Sequence, residues 1–134
     1  IRSISREEHE ALAGLPVTMV YAHQWHHAPG EAIQKVLANL SSDVYITFDL
    51  DSLDPSLLPA TGTPEPGGLF WFDAMTILEQ VFAGKNVVGC DVVELAPRVD
   101  WPASDFVAAK LIYKLMTLHA IYGMRLNPSL EADR

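Results

Sequence analysis

The stretch Val44–Leu69, VYITFDLDSLDPSLLPATGTPEPGGL, decides how this sequence of 134 residues folds. It begins with an apolar, β-branched run that predicts a buried strand, and the run continues directly into Asp49-Leu50-Asp51. Residues at i and i+2 of a strand point to the same face, so we expect two carboxylates side by side where the strand ends. In open α/β sheets, ligands bind at that end of the strands.

Two more apolar runs and three helical patterns flank this stretch. Continuous apolar runs of this kind are typical of strands buried on both faces of a parallel sheet. The predicted strands are Val17–Ala22, Val44–Phe48 and Asn86–Val93. The predicted helices are Glu31–Leu40, Phe72–Phe82 and a long helix from Asp105 to about Ile121, with Ser104 as its N-cap. Because strands and helices alternate, the sequence predicts an α/β fold with parallel neighbouring strands and helices on both faces.

The paired acids predict a metal site, although the spacing alone leaves another interpretation open. Neighbouring carboxylates repel each other, and burial penalises each ionised form, so a divalent cation would stabilise the pair. Carboxylate oxygens suit hard ions such as Mn²⁺ or Mg²⁺. On spacing alone, metal binding by Asp49 and Asp51 competes evenly with solvated loop acids or a helix cap.

Two longer motifs add a family resemblance. Phe48–Leu69 resembles the ureohydrolase (arginase and agmatinase) pattern FD-x-D-x-x-DP followed by P-x-TGTPEPGGL, in its agmatinase form. Gly89–Pro97, GCDVVELAP, resembles the family's G-x-D-V-V-E-x-x-P, and the segment that begins at Ser104 resembles its last helix. The resemblance implies a three-layer α/β/α arginase-like fold with a mainly parallel sheet, of which residues 1–134 form the C-terminal part.

The resemblance also implies a reaction and a set of roles. It implies hydrolysis of a guanidino compound by two Mn²⁺ ions, most simply agmatine to putrescine and urea, as in polyamine biosynthesis. Asp49 would bridge both metals and orient the attacking hydroxide, and Asp51 would bind one metal. Glu94 and Thr63 would hold the guanidinium, so Asp49 and Glu94 are the predicted catalytic residues. A cytoplasmic homo-oligomer, a trimer or hexamer, is the expected assembly.

Part of the family's site does not occur in these residues. The GGDH and DAHxD motifs, which supply the other metal ligands, are absent from the sequence, as is the proton-shuttling histidine. We therefore expect an upstream part of the protein, and we expect the 134 residues alone to be inactive. The alternative is a truncated or degenerate ureohydrolase module with a role in assembly. Retention of both aspartates, Thr63 and Glu94 argues against that alternative.

Three histidines in the segment His23–His27, HQWHH, offer a different metal site. Together with Asp49 and Asp51 they could form a rebuilt centre. We favour the interpretation that they are loop residues at a rim, with His23 lining the substrate pocket because it follows a predicted strand. His119 lies within the predicted last helix, and we expect its side chain on the face of that helix.

Charge and composition limit the classes of molecule that the protein can bind. The net charge is −8, from 9 Lys and Arg against 17 Asp and Glu, which disfavours nucleic acid and anionic membranes and suits a small cationic substrate. The apolar stretch from Phe106 is interrupted by lysines, so it predicts an amphipathic helix and not a membrane span. Cys90 is the single cysteine, which excludes an intrachain disulfide.

A substrate clue lies at the start of the sequence. Arginases place aspartates after G-[IL]-R to recognise the α-amino group of arginine, and Ser3 and Ser5 stand at the matching positions here. We therefore expect a substrate without the amino-acid head, such as agmatine, with guanidinobutyrate or guanidine as further options.

Overall fold

In the described part of the chain, the sheet consists of two parallel strands, β1 (Asp43–Asp49) and β2 (Asn86–Val93), and Asp49 lies opposite Val93 at its carboxyl edge. The computed structural model describes residues 1–126, with the backbone alone for 124–126. Two units are present, Ile1–Leu40 and a second that begins at Ser41. The parallel pairing of the second and third predicted strands is confirmed.

In the second unit, the strands pack against two helices. Helix α4 (Trp71–Gly84) and helix α5 (Ala103–Leu126) contact each other, and both contact β2. The inward side chains of the strands and helices form an apolar core, in which the most deeply buried large residues are Leu50, Leu53, Leu58, Leu111 and Leu115. Burial of a side chain of that size contributes about 1.5–3 kcal/mol, so this leucine cluster is a main source of stability.

The predicted burial of the strands on both faces is wrong for the described residues. Val44 and Phe48 are buried, whereas Tyr45 is 59% exposed and Val88 60% exposed. Burial therefore alternates along β1, so one face of the strand is covered more than the other. A continuous apolar run does not reveal by itself which of its two faces a helix covers.

The first unit is helical, with α1 (Arg6–Leu12), α2 (Ala22–His27) and α3 (Pro29–Asn39). Helix α1 has no counterpart among the predictions. Ser5 caps it, since the Ser5 Oγ accepts a hydrogen bond from Glu8 N at 3.1 Å. Helix α3 confirms the predicted helix and begins at a proline, which is favoured at the first helical position because it lacks an N–H.

The predicted strand Val17–Ala22 is wrong. In the described residues this segment is not a strand: the Ile1 amino group donates to Val20 O and Ala22 N donates to Ile1 O, both at 2.9 Å, and Lys35 Nζ donates to Met19 O at 2.8 Å. These contacts do not form the ladder of a sheet, and helix α2 begins at Ala22 immediately afterwards. A β-branched run supplies strand propensity, but the strand itself requires a neighbour.

The helices of the second unit confirm the predictions with shifted ends. Helix α4 extends the predicted Phe72–Phe82 by one residue before and two after, and α5 runs beyond the predicted Ile121. Ser104 is not the N-cap, because α5 begins one residue earlier and places Ser104 inside the helix with 0% exposure. Within residues 1–126, no helix is long and apolar enough to cross a bilayer.

Candidate metal and substrate site

The two predicted metal ligands lie at the carboxyl end of β1. Asp49 is the last residue of the strand, and Asp51 belongs to the short 3-10 helix Leu50–Ser52 that follows. The Asp49 side chain accepts a hydrogen bond from Asp51 N at 2.8 Å. The two acids are therefore neighbours, but a tight turn brings them together and not the i, i+2 spacing of a strand that the sequence predicted.

Thr63 joins this pair from the Gly/Pro-rich loop. Its Oγ1 donates to Asp51 Oδ2 at 2.5 Å, across twelve residues of sequence. The hydroxyl oxygen keeps lone pairs that can accept a further hydrogen bond. Asp51 is half-buried and Thr63 is exposed, so the loop delivers a polar group to the rim of the carboxylate pair.

Glu94 approaches the same loop from β2. A Cβ added at Gly62 would lie 4.0 Å from Glu94 Oε2, so the carboxylate rests beside the glycine that precedes Thr63. Ala96 N donates to Ala60 O at 2.9 Å, which ties the segment after β2 to this loop. The structure thus brings Asp51, Thr63 and Glu94 to one edge of the sheet, together with Asp49.

The backbone at Glu94 is unusual. Its φ of 67° lies in the left-handed region, and it is the one non-glycine residue with positive φ among those described. This conformation costs an L-residue about 1–2 kcal/mol, and strain of that kind concentrates at functional sites. The turn aims the exposed Glu94 carboxylate at the loop of Thr63.

A third aspartate, Asp54, follows the pair at the start of the Gly/Pro-rich loop. Its Oδ1 accepts from Ser56 N at 3.0 Å and from Ser56 Oγ at 2.6 Å, and its Oδ2 accepts from Gly67 N at 2.9 Å. These hydrogen bonds, first of all those from Ser56, lower the pKa of Asp54 from 3.8 to about 2. Asp-Pro-Ser is a signal for this kind of local side-chain bonding, and it could have been found from sequence.

The donor chemistry of the pair fits hard divalent ions, but the number of donors is small. Asp49 and Asp51 offer carboxylate oxygens, the ligands that Mn²⁺ and Mg²⁺ prefer. Among residues 1–126, no group of three or more His, Cys, Asp or Glu side chains is placed to hold a metal ion. The pair could therefore hold a metal ion only together with further ligands.

The HQWHH segment forms helix α2 of the first unit and not a loop after a strand. Trp25 is buried, and His23 stacks on Tyr21 with ring centroids 5.6 Å apart. His23, His26 and His27 do not form a metal-holding group within the described residues. The role of His23 in a substrate pocket stays a prediction. On α5, His119 is exposed, which confirms its predicted place on that helix.

Known proteins resemble this chain along most of its length. A family model described as "Arginase family" matches residues 1–118. An N(1)-aminopropylagmatine ureohydrolase from Synechocystis is 36% identical over 116 residues, covering 87% of this chain and 38% of that protein. A protein of the same name from Thermus thermophilus is 39% identical over 121 residues, covering 90% and 41%.

A solved structure agrees with the sequence matches. Agmatine ureohydrolase of Thermoplasma volcanium superposes with a TM-score of 0.75 at 32% identity, over 92% of this chain and 42% of that one. This likeness confirms the predicted α/β arginase-like fold. The chain spans about two fifths of the length of the relatives that it matches, since 38% and 41% of the two sequence relatives are covered.

Proposed function

The chain belongs to the arginase family, and from that premise we propose that the complete protein hydrolyses a guanidino compound to urea and an amine. The observation that carries the proposal is the hydrogen bond from Thr63 to Asp51 beside the Glu94 carboxylate. A predicted metal ligand and two predicted substrate contacts, separated by up to 43 positions in sequence, meet at one edge of the sheet. Names of relatives, which describe ureohydrolases, support the same reaction class.

We propose that Asp49 and Asp51 provide part of a two-manganese site. When bound, such a metal pair supplies Lewis acidity and a nucleophile generated from water near neutral pH. The hydrogen bond from Asp51 N holds the Asp49 carboxylate in place, and the bond from Thr63 holds Asp51. Both acids are thereby oriented before any ion arrives, which lowers the cost of binding one.

Glu94 and Thr63 have the chemistry to hold the guanidinium. A planar guanidinium donates two parallel hydrogen bonds to a carboxylate, so Glu94 can fix both the position and the plane of the substrate. Thr63 donates to Asp51 and can accept an N–H from the substrate through a lone pair. Together they would hold the guanidinium carbon close to the carboxylates at the end of β1, as a hydrolytic attack requires.

We propose a decarboxylated substrate, with agmatine first, yielding putrescine. Ser3 and Ser5 stand where arginases place the aspartates that recognise the amino-acid head, so the resemblance to arginases does not extend to that recognition, and Ser5 caps α1. Aminopropylagmatine, from the names of two relatives, shares the free guanidinium and lacks the carboxylate in the same way. The resemblance further supports a cytoplasmic homo-oligomer, a trimer or hexamer, as the assembly that carries out the reaction.

Removal of Asp51 tests the metal assignment in the complete protein. Asp51→Ala should lower the manganese content, measured by elemental analysis, and urea release should fall by at least about 100-fold, because even an outer-shell partner of a metal is worth 10- to 100-fold. Asp43→Ala is the matched control, since Asp43 lies at the other end of β1 and bonds Asn86. Unchanged manganese stoichiometry in Asp51→Ala would refute the ligand assignment.

A further inference from the structure

We infer that Asp54 is a positioning residue: its carboxylate closes the loop 54–69 and thereby holds Thr63 against Asp51. This inference rests on the proposed function, because Thr63 matters only if the edge of the sheet binds substrate. Asp54 is the third acid of the run Asp49-x-Asp51-x-x-Asp54. Neither metal binding nor substrate binding, as proposed above, assigns it a role.

Both oxygens of the Asp54 carboxylate accept hydrogen bonds from nearby residues of the loop. Oδ1 accepts from both the backbone and the hydroxyl of Ser56, and Oδ2 accepts from Gly67 N at 2.9 Å, thirteen residues away. Gly67 has a φ of 83°, a conformation in which glycine is favoured, so the loop adopts a special backbone geometry at the residue that bonds the acid. Both carboxylate oxygens of Asp54 accept hydrogen bonds from the loop. The role of Asp54 therefore differs from that of Asp49 and Asp51.

The backbone of Asp54 reinforces this closure. Asp54 N donates to Leu69 O at 3.0 Å, and Leu69 N donates to Ser52 O at 2.9 Å, so the two ends of the loop form a short parallel bridge. Asp54 O accepts from Leu57 N and Leu58 N at 2.9 and 3.1 Å. The neighbouring side chains of Leu53 and Leu58, 2% and 1% exposed, are buried in the core and fix the backbone around Asp54.

The closure reaches Thr63 because the intervening chain has little freedom. Prolines at 59, 64 and 66 fix φ on either side of the threonine. Ala60 is fully buried and bonded to Ala96, which secures the first half of the loop. The second half returns through Gly67 to Leu69, where the Asp54 side chain and the bridge hold it. Loss of the carboxylate would remove the side-chain contact at Gly67 and leave the backbone bridge at Leu69.

A double-mutant cycle in the complete protein tests whether Asp54 acts through Thr63. Asp54→Ala and Thr63→Ala should each lower kcat/KM for agmatine by about 10- to 100-fold, mainly through KM, because a loosened loop must be ordered on binding. If the two residues work in series, the double variant should be within about twofold of Thr63→Ala. Multiplied losses would overturn the inference, as would an equal loss in the control Asp43→Ala.

Asp54→Asn keeps the cycle interpretable if the alanine variant does not fold. The amide oxygen can still accept from one side of the loop, so this variant should show an intermediate KM and the same non-additivity with Thr63→Ala. A kcat/KM for Asp54→Asn equal to that of the wild type would contradict the inference.

Amide hydrogen exchange supplies a readout that does not depend on the reaction. In Asp54→Asn, exchange at the hydrogen-bonded amides of Gly67 and Leu69 should accelerate at least about tenfold, while β1 and β2 amides stay protected. If no guanidino compound were hydrolysed by the wild type, the proposed function would fail and exchange would still decide whether Asp54 closes the loop. Unchanged exchange at Gly67 and Leu69 would overturn the closure itself.

Discussion

Glu94 combines a strained backbone with an exposed carboxylate. Its φ of 67° disfavours any side chain with a Cβ, yet the same turn carries Oε2 to within 4.0 Å of a Cβ built at Gly62. A glycine or asparagine would adopt this conformation at lower cost. The backbone conformation of Glu94 therefore lowers stability but orients its carboxylate. This trade-off is expected of a residue that contacts substrate.

We predict that Glu94→Gly separates stability from activity. Relief of strain should leave the free energy of unfolding unchanged or raise it by up to about 1 kcal/mol, the gain being reduced by the greater freedom of unfolded glycine. Urea release should fall by at least about 100-fold, since the guanidinium loses a bidentate partner. Urea denaturation and a urea-release assay measure the two effects.

Glu94→Gln is the matched control for that experiment. It keeps the Cβ and the strain, so its stability should equal that of the wild type while activity falls as in the glycine variant. A wild-type kcat/KM in either variant would mean that Glu94 does not hold the substrate.

Asp54 predicts an acid-sensitive contribution to stability. Its folded pKa of about 2 lies below the ordinary value of 3.8, so its hydrogen bonds stabilise the fold above pH 4 and are lost as the pH falls through about 2. Asp54→Asn should cost on the order of 1 kcal/mol near pH 6, after allowance for solvent screening of an exposed acid. Denaturant titrations should show that this difference shrinks between pH 4 and pH 2.

Ser56→Ala refines the measurement at Asp54. It removes the hydroxyl donor but keeps the backbone N–H, so it should lose part of the same pH dependence. A difference between wild type and Asp54→Asn that stayed constant from pH 6 to pH 2 would be inconsistent with the lowered pKa.

Among the secondary-structure elements, those with long periodic patterns were predictable and those that depend on a neighbour were not. Helices α3, α4 and α5 follow from apolar stripes, and β1 and β2 from β-branched runs ending in acids. Val17–Ala22 has the same composition as a strand and fails to become one, because strand formation depends on a partner that composition cannot reveal. The predicted start of α5 was two residues late. Serine is favoured at the N-cap position, but the helix begins at Ala103 and includes Ser104.

The candidate site was predictable as a set of residues but not as a geometry. Family motifs identified Asp49, Asp51, Thr63 and Glu94, and the structure places all four at one edge of the sheet. Their means of assembly was not visible in the sequence, since a 3-10 turn, a threonine hydrogen bond and a left-handed residue each depend on backbone detail. The bonds from Ser56 to Asp54 were predictable from the Asp-Pro-Ser sequence, whereas the bond from Gly67 was not, because Gly67 lies thirteen residues along the chain.

The pairing of β1 with β2 predicts an interaction between Tyr45 and Gly89. The two residues are cross-strand partners, and a Cβ at Gly89 would lie 2.7 Å from Tyr45 Cε2. The Tyr45 hydroxyl donates to Asp91 at 3.0 Å, which holds the ring over the glycine. Gly89→Ala should therefore destabilise the protein by about 0.5–1 kcal/mol, as the ring must move and the added methyl crowds the ladder.

Removal of the ring should reverse the sign of that effect. In a Tyr45→Ala background, Gly89→Ala should stabilise by about 0.5 kcal/mol, because alanine loses less entropy than glycine on folding. Urea denaturation of the four proteins of the cycle measures the coupling. Additivity within about 0.3–0.5 kcal/mol would show that the ring and the glycine do not interact.

At the level of the whole molecule, substrate choice depends on groups that do not react. Arginine differs from agmatine by an α-carboxylate, and a site without a partner for that group leaves it unpaired. A penalty of about 2–3 kcal/mol in transition-state binding corresponds to about 30- to 150-fold in kcat/KM.

Urea release by the complete manganese-loaded protein, measured side by side with agmatine, arginine, guanidinobutyrate and guanidine, tests guanidino hydrolysis most directly. We predict turnover of agmatine with a kcat/KM about 30- to 150-fold above that for arginine. A preference for guanidinobutyrate or guanidine would keep the reaction class and change the substrate. Absence of urea from all four compounds, with manganese bound and the protein folded, would contradict the assignment of Asp49, Asp51, Thr63 and Glu94 to a hydrolytic site.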